Sequence, residues 1–234
     1  MRLAMWSGPR NLSTAMMYSF GARADFAVWD EPFYAPYLHH SGERHPMQDD
    51  ILAHHETDPD RVAALCLDTV PAEKPNFYMK HMPHHMLPEF PMGWAKSCVN
   101  VHLIRHPARV IASYAAKRES PTMNDIGYAA QLRVFAELGG IVVDSTDIRA
   151  QPEATLRALC TAIGLPWDSA MLQWPAGGRA EDGVWARHWY GAIHKSTGFA
   201  GAEGPLPLLE GEMAKLCEAA LKPYEQMYAQ RLIA

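Results

Sequence analysis

Residues 2–14 read Arg2-Leu3-Ala4-Met5-Trp6-Ser7-Gly8-Pro9-Arg10-Asn11-Leu12-Ser13-Thr14. The apolar run at residues 2–6 predicts a strand, and the pattern of residues 12–22 predicts an amphipathic helix. Between them, Gly8 and Pro9 turn the chain sharply. A strand that passes through a tight turn into a helix is typical of an α/β unit.

The rest of the chain continues this alternation of strands and helices. Strands are predicted at residues 26–29, 76–80, 99–104 and 140–143. Helices are predicted at residues 108–117, 126–138, 152–163 and 208–231. The pattern predicts a three-layer α/β fold, in which a mostly parallel sheet is flanked by helices. We expect one domain over residues 1–234, with an exposed insertion or lid at residues 36–60 and an irregular excursion at residues 168–207.

The loop after the first predicted strand has the chemistry of an anion site. In open parallel sheets, ligands bind beyond the carboxyl ends of the strands, which is where this loop lies. Arg10 offers a guanidinium fork, Ser13 and Thr14 supply hydroxyls, and the next helix directs its free N–H groups to the same point. The residues predicted to bind the anion are Gly8, Pro9, Arg10, Asn11, Leu12, Ser13 and Thr14.

This loop is not a Walker A motif. That motif, G-x-x-x-x-G-K-[ST], needs a second glycine and a lysine, which residues 7–14 lack. A nucleoside triphosphatase is therefore disfavoured.

A second phosphate clamp is predicted after the fourth strand. Arg105 ends the strand, Pro107 sets the turn, and Ser113 lies on the following helix. An arginine and a hydroxyl on either side of a strand–helix turn can hold one phosphate between them.

Together the two clusters resemble sulfotransferases that use 3′-phosphoadenosine 5′-phosphosulfate (PAPS), in particular bacterial sulfotransferase-like proteins with a proline–arginine first loop. The resemblance implies that residues 7–14 hold the 5′-phosphosulfate and that Arg105 and Ser113 hold the 3′-phosphate. It also implies a fold like that of the P-loop nucleoside triphosphatases. PAPS is then the co-substrate, adenosine 3′,5′-bisphosphate is the product, and no metal is expected.

The resemblance covers residues 1 to about 35 and 76 to about 175. Its third element is Thr146-Asp147-Ile148, followed by Pro152 and Gly164-Leu165-Pro166, which is similar to the family's E-D-L … P … L-x-x-L-x-x-F-L-G-L stretch. The chain departs from many cytosolic members in two ways. Arg10 stands alone as the cation of the first loop, without their lysine, and the C-terminal Arg-Lys-Gly-x-x-Gly segment is missing.

Two side chains are candidate bases for sulfuryl transfer. His81 lies in Met79-Lys80-His81-Met82-Pro83, which resembles the Lys-Thr-His-Leu-Pro segment of cytosolic sulfotransferases, whose histidine is the base. Glu31 follows the second strand, in a region where some bacterial relatives use a glutamate. A histidine titrates near neutral pH, whereas a carboxyl needs a raised pKa to be efficient. The sequence favours neither candidate, and Lys80 is predicted to contact the leaving phosphate or the sulfonate.

Composition disfavours several other classes of protein. A formal net charge of −5 and the lack of a basic stripe argue against nucleic-acid binding. There is no run of about 18 apolar residues, so no membrane span is expected, and the lack of a secretory pattern predicts a cytoplasmic location. The histidine pairs 39–40, 54–55 and 84–85 have no cysteine partners at zinc-site spacing, so a metal site is not expected.

The sequence therefore predicts an enzyme that transfers a sulfuryl group from PAPS to a hydroxyl or amine of a small-molecule acceptor. Two alternatives stay open. One is a phosphoryl-transfer enzyme of the nucleotide- or metabolite-kinase kind, and the other is a non-catalytic nucleotide-binding protein of the same fold.

Overall fold

A computed structural model describes residues 1–116 and 121–234 of the chain. Its strands are β1 (Arg2–Ser7), β2 (Phe26–Asp30), β3 (Asn76–His81), β4 (Val99–Ile104) and β5 (Ile141–Asp144). They form one sheet in the order β2-β3-β1-β4-β5, and each neighbouring pair is parallel. The predicted strands are all present, and the α/β class is confirmed.

The central strand, β1, sets where the loops of the site meet. It pairs with β3 up to Trp6 opposite His81, and with β4 up to Ser7 opposite Leu103. This register brings the carboxyl ends of three strands to one edge of the sheet. The loops that follow these strands therefore meet at the edge where open α/β sheets bind ligands.

The sheet is covered on both faces, which explains the continuous apolar sequence of β1. Leu3 and Met5 pack on one face with α1 (Ser13–Gly21) and α9 (Pro152–Ala162). Ala4 and Trp6 pack on the other face with α4 (Pro59–Leu67) and α7 (Tyr128–Leu138). The predicted three-layer arrangement follows from this alternation.

The predicted helices are present, with shifted ends. They are α1, α5 (Pro107–Ala115), α9 and α11 (Gly211–Tyr228), and Lys117, the predicted end of α5, lies outside the described residues. The helix predicted at residues 126–138 is two helices, α6 (Met123–Ile126) and α7, because Gly127 between them has a left-handed φ of 73°. No helix of the described part of the chain has the length and apolar character needed to cross a membrane.

Several helices were not predicted. They are α2 (Tyr34–Ser41), α3 (Gln48–His54), α4, α8 (Ser145–Ala150) and α10 (Ala186–Trp189). Residues 36–60, expected as an exposed insertion or lid, consist largely of helix, and Ile51 is fully buried in a cluster with Trp185. The segment therefore packs on the irregular excursion at residues 168–207.

Candidate active site

A cavity of about 420 Å³ opens at the carboxyl edge of the sheet. It is lined by residues 9–14 of the first loop, by Glu31 and Lys80 at the ends of β2 and β3, and by Arg105 and Ser113. The structure thus brings together the predicted site residues with the exception of Gly8 and His81. A second hollow of about 880 Å³, beside the first turn of α9, contains none of the predicted site residues.

Gly8 packs the first loop against α7 and does not line the cavity. Its N–H donates to Oε1 of Gln131 at 2.8 Å, and Nε2 of Gln131 donates to the carbonyl oxygen of Trp6 at 3.0 Å. A Cβ on Gly8 would lie 2.9 Å from the carbonyl oxygen of Ile126, which is too close for a side chain. Gly8 is therefore required for the packing of the turn, and its contact with an anion stays a prediction.

The remainder of the first loop has the backbone of an anion site. Arg10 and Leu12 have left-handed φ values of 61° and 70°. Leu12 directly precedes α1 and provides no side-chain cap, so the first N–H groups of α1 are left for a ligand. Left-handed residues at such a position help to turn successive N–H groups into a concave nest for phosphate or sulfate.

The predicted phosphate clamp is joined to this loop by two hydrogen bonds. Nε of Arg10 donates to the hydroxyl of Ser113 at 2.9 Å, and Nη1 of Arg105 donates to the carbonyl oxygen of Arg10 at 2.6 Å. Burial and the charge of Arg105 lower the pKa of Arg10, but a guanidinium remains protonated at neutral pH. Two fixed positive charges therefore line this part of the cavity.

Next to the clamp, three arginines converge on one carboxylate. Arg105 donates to Glu203, while Nε of Arg109 and Nη1 of Arg149 lie 2.9 and 2.8 Å from its carboxylate oxygens. The hydroxyl of Thr146 donates to the same carboxylate at 3.2 Å. Burial opposes ionisation of Glu203, but the hydrogen bond from Arg105 and the arginine charges hold its pKa below the ordinary value. The sequence did not reveal this cluster, since its members are far apart in the chain.

Glu31 and Lys80 belong to a buried network at the ends of β2 and β3. Nζ of Lys80 donates to Glu31 at 2.7 Å, to Asp30 at 3.0 Å and to the hydroxyl of Tyr190 at 2.5 Å. Tyr190 in turn donates to Asp30 at 2.7 Å. None of the four residues is more than 7% exposed. Of the residues in this network, Tyr190 was not predicted as a site residue, and it lies in the irregular excursion at residues 168–207.

The surroundings raise the pKa values of both Glu31 and Lys80 in this network. Burial raises the pKa of Glu31 above its ordinary value of 4.5, although the charge of Lys80 opposes the shift. Burial disfavours the charge of Lys80, but Asp30 and Glu31 together raise its pKa. Lys80 is therefore a fixed cation, and Glu31 is a carboxyl with an increased affinity for a proton. Glu31 also has a left-handed φ of 42°, a strained backbone of the kind found at functional sites.

His81, the other candidate base, does not line the cavity. Neighbouring residues of a strand point to opposite faces, so Lys80 faces the cavity and His81 faces the core. The ring of His81 stacks on Trp6 at 4.7 Å and lies 4.8 Å from Trp94. Its ring nitrogens are buried without a hydrogen-bond partner among the described residues, and burial lowers its pKa to about 3.

Other side chains around Glu31 were not predicted as site residues. Tyr34, His45, His84 and His85 line the cavity. Nδ1 of His85 is 3.9 Å from Glu31, and the His85 ring stacks on Tyr34 at 4.6 Å. Burial lowers the pKa of His84 to about 4 and that of His85 well below its ordinary value, so both imidazoles are neutral at neutral pH. Within residues 1–116 and 121–234, no group of three or more His, Cys, Asp or Glu is placed to hold a metal ion.

The sequence matches the model of a sulfotransferase domain family over residues 1–231. The chain belongs to this family, and the domain is an enzyme domain of the sulfotransferase class, as the sequence predicted.

Two plant proteins are similar to this chain in sequence. Branched-chain-amino-acid aminotransferase-like protein 2 of Arabidopsis thaliana is 33% identical over 220 residues, which are 91% of this chain and 39% of that protein. Branched-chain-amino-acid aminotransferase-like protein 1 of the same plant is 34% identical over 200 residues, 83% of this chain and 36% of that protein. The chain thus spans less than half the length of these curated relatives.

Two solved structures are similar in fold. A sulfotransferase from Alicyclobacillus acidocaldarius has a TM-score of 0.55 at 10% identity, covering 98% of this chain and 96% of that one. The sulfotransferase domain from the curacin biosynthetic pathway has a TM-score of 0.52 at 15% identity, covering 93% and 96%. The predicted sulfotransferase fold is confirmed.

Removal of the Tyr190 hydroxyl tests the buried network. Tyr190→Phe is expected to lower the free energy of unfolding by about 1–3 kcal/mol, because Asp30 and Lys80 lose a buried hydrogen-bond partner. Urea denaturation measures the change.

The matched control is Tyr78→Phe. The Tyr78 hydroxyl is also buried, but it has no hydrogen-bond partner among the described residues, so its removal should leave stability unchanged or increase it. Equal losses in the two variants would contradict the role assigned to Tyr190.

Proposed function

We propose that this domain transfers a sulfuryl group from PAPS to a hydroxyl or amine of a small-molecule acceptor. The observation that carries the proposal is a single cavity lined by Arg10 and Arg105 at the anion loop and by Glu31 and Lys80. An anion site alone suits many nucleotide-binding proteins, whereas an anion site beside a buried carboxyl of raised pKa suits a transferase. Membership of the sulfotransferase family supports sulfuryl as the transferred group.

The residues of the site fit both charged ends of PAPS. Residues 10–14 and the first N–H groups of α1 suit the 5′-phosphosulfate. Arg105 and Ser113 suit the 3′-phosphate, and Nε of Arg105 is a buried donor without a partner among the described residues. The loop has no Walker lysine for a triphosphate, so phosphoryl transfer has less support.

In the proposed reaction, a bond forms between the acceptor oxygen or nitrogen and sulfur. The bond between sulfur and the 5′-phosphate oxygen breaks, and the acceptor proton passes to the Glu31 carboxylate. The products are the sulfated acceptor and adenosine 3′,5′-bisphosphate.

Glu31 is the proposed base and Lys80 its partner. The raised pKa of Glu31 strengthens it as a proton acceptor, and Glu31 lines the cavity whereas His81 does not. Lys80 holds one oxygen of Glu31 at 2.7 Å and leaves the other for the acceptor. The fixed charge of Lys80 also favours the negative charge that develops on the transferred and leaving groups.

The acceptor is proposed to bind beside Tyr34, His84 and His85. Nδ1 of each histidine is buried without a hydrogen-bond partner among the described residues. Because both rings are neutral at neutral pH, they offer hydrogen bonds and no charge. This chemistry suits an uncharged acceptor group.

Loss of Arg105 tests the donor assignment. Arg105→Ala is expected to weaken binding of adenosine 3′,5′-bisphosphate about tenfold or more, because charge-assisted hydrogen bonds to the 3′-phosphate are lost. Binding of AMP, which lacks that phosphate, should change by no more than about twofold. Isothermal titration calorimetry measures both, and equal losses for the two nucleotides would contradict the assignment.

Loss of the Glu31 carboxylate tests the base. With radiolabelled PAPS and a panel of phenols, alcohols and amines, Glu31→Gln is expected to slow single-turnover transfer by about a hundredfold or more. A protonated Glu31 cannot accept another proton, so the wild-type rate should fall as the pH is lowered, with its midpoint above pH 4.5 because the pKa is raised. The variant should lack this dependence.

His81→Asn is the comparison for this experiment. The variant is expected to be less stable, since His81 is packed between two tryptophans, but its folded fraction should keep the wild-type rate and acid limb. A wild-type rate in Glu31→Gln, or a slow one in folded His81→Asn, would reverse the assignment.

A further inference from the structure

The arginines at the proposed 3′-phosphate site hold an anion that belongs to the chain itself. The Glu203 carboxylate contacts Arg105, lies 2.9 Å from Arg109 and 2.8 Å from Arg149, and accepts from Thr146 at 3.2 Å. Only 2% of the Glu203 side chain is exposed. A phosphate is bound in proteins by the same kind of contacts, with guanidinium forks and a hydroxyl around its oxygens.

The segment that carries Glu203 is held in place by the same arginines. Nε of Arg149 donates to the carbonyl oxygen of Gly201 at 2.9 Å, and Nη2 of Arg109 donates to that of Gly204 at 2.5 Å. Residues 200–205 form no helix or strand, and both glycines are exposed. An anion that took over these arginines would therefore loosen the segment.

A phosphate bound to Arg105 would lie against the Glu203 carboxylate. Its Nη1 donates to the carbonyl oxygen of Arg10 and its Nη2 donates to Glu203, which leaves Nε without a partner among the described residues. A bidentate contact to phosphate uses two neighbouring N–H donors. A phosphate held by Nε and Nη2 would share Nη2 with the Glu203 carboxylate, and the repulsion between the two anions favours the release of Glu203.

We propose that Glu203 is an intramolecular competitor for the donor's 3′-phosphate. In the free protein the Glu203 carboxylate occupies the arginine cluster, and an arriving 3′-phosphate displaces it together with residues 200–205. The exchange favours the phosphate, which brings up to two negative charges and three acceptor oxygens against one charge and two oxygens. When the bisphosphate product leaves, Glu203 returns and offsets part of the charge of the cluster. This inference rests on the proposed function.

The competition has a defined effect on affinity. The measured affinity of a ligand that needs the open cluster equals its intrinsic affinity multiplied by the fraction of protein in which the cluster is open. A nucleotide with a 3′-hydroxyl does not compete for the cluster, so its affinity does not depend on Glu203.

The test is Glu203→Gln, which removes the charge and keeps the shape. Its dissociation constant for adenosine 3′,5′-bisphosphate, measured calorimetrically at fixed salt, is expected to be about tenfold or more lower than that of the wild type. AMP binding should be unchanged. The free variant should melt at a lower temperature than the free wild type, because three arginines lose their counter-ion, and the bisphosphate should restore its stability. Glu210→Gln, an exposed carboxylate before α11, is the matched control and should behave as wild type in each measurement.

Hydrogen–deuterium exchange of the wild type gives a second readout that needs no variant. The bisphosphate is expected to increase amide exchange at residues 200–205, and AMP is expected to leave it unchanged. Protection of these residues by the bisphosphate would overturn the proposal. Because the measurement uses the wild type, it applies even if Glu203→Gln does not fold.

The outcomes separate this inference from the function on which it rests. Bisphosphate binding that is equal or weaker in Glu203→Gln overturns the competition and leaves the donor assignment standing. Absence of bisphosphate binding to wild type and variant alike overturns both.

Discussion

The hydrogen bond from Arg105 to the carbonyl oxygen of Arg10, at 2.6 Å, joins the two halves of the proposed donor site. It is possible because β1 and β4 pair in parallel up to Ser7 opposite Leu103, so that the residues after these strands lie side by side. A register slip of one residue would exchange the faces of β1 and lose this alignment. The proposed anion site is thus a consequence of strand pairing and of the two loops together.

The ionisable groups at the ends of β2 and β3 are buried, and each contacts a partner of opposite charge. Lys80 stays charged because Asp30 and Glu31 both contact it, at 3.0 and 2.7 Å. Burial raises the pKa of Glu31, and the charge of Lys80 only partly opposes this shift. The hydroxyl of Tyr190 completes the contacts of Lys80 and Asp30. The burial of the network therefore increases the affinity of Glu31 for a proton.

The sequence was sufficient to predict the strands, because a parallel sheet buried on both faces needs continuous apolar runs such as that of β1. It also indicated that Arg105 lies near the first loop, since residues that follow neighbouring parallel strands meet at one edge. Tyr190 and Glu203 were out of reach, because they meet their partners across 110 and 98 residues from a segment without periodicity. His81 directly follows Lys80 on β3, so it takes the opposite face of the strand and does not line the cavity.

The central claim is that the cavity at the ends of β1 and β4 recognises a nucleotide by its 3′-phosphate. Calorimetric titration of the wild-type protein with adenosine 3′,5′-bisphosphate, AMP and ATP at one ionic strength tests it most directly. The bisphosphate is expected to bind about tenfold or more tightly than AMP, and ATP should gain no such advantage. Tighter binding of ATP than of the bisphosphate would contradict the account.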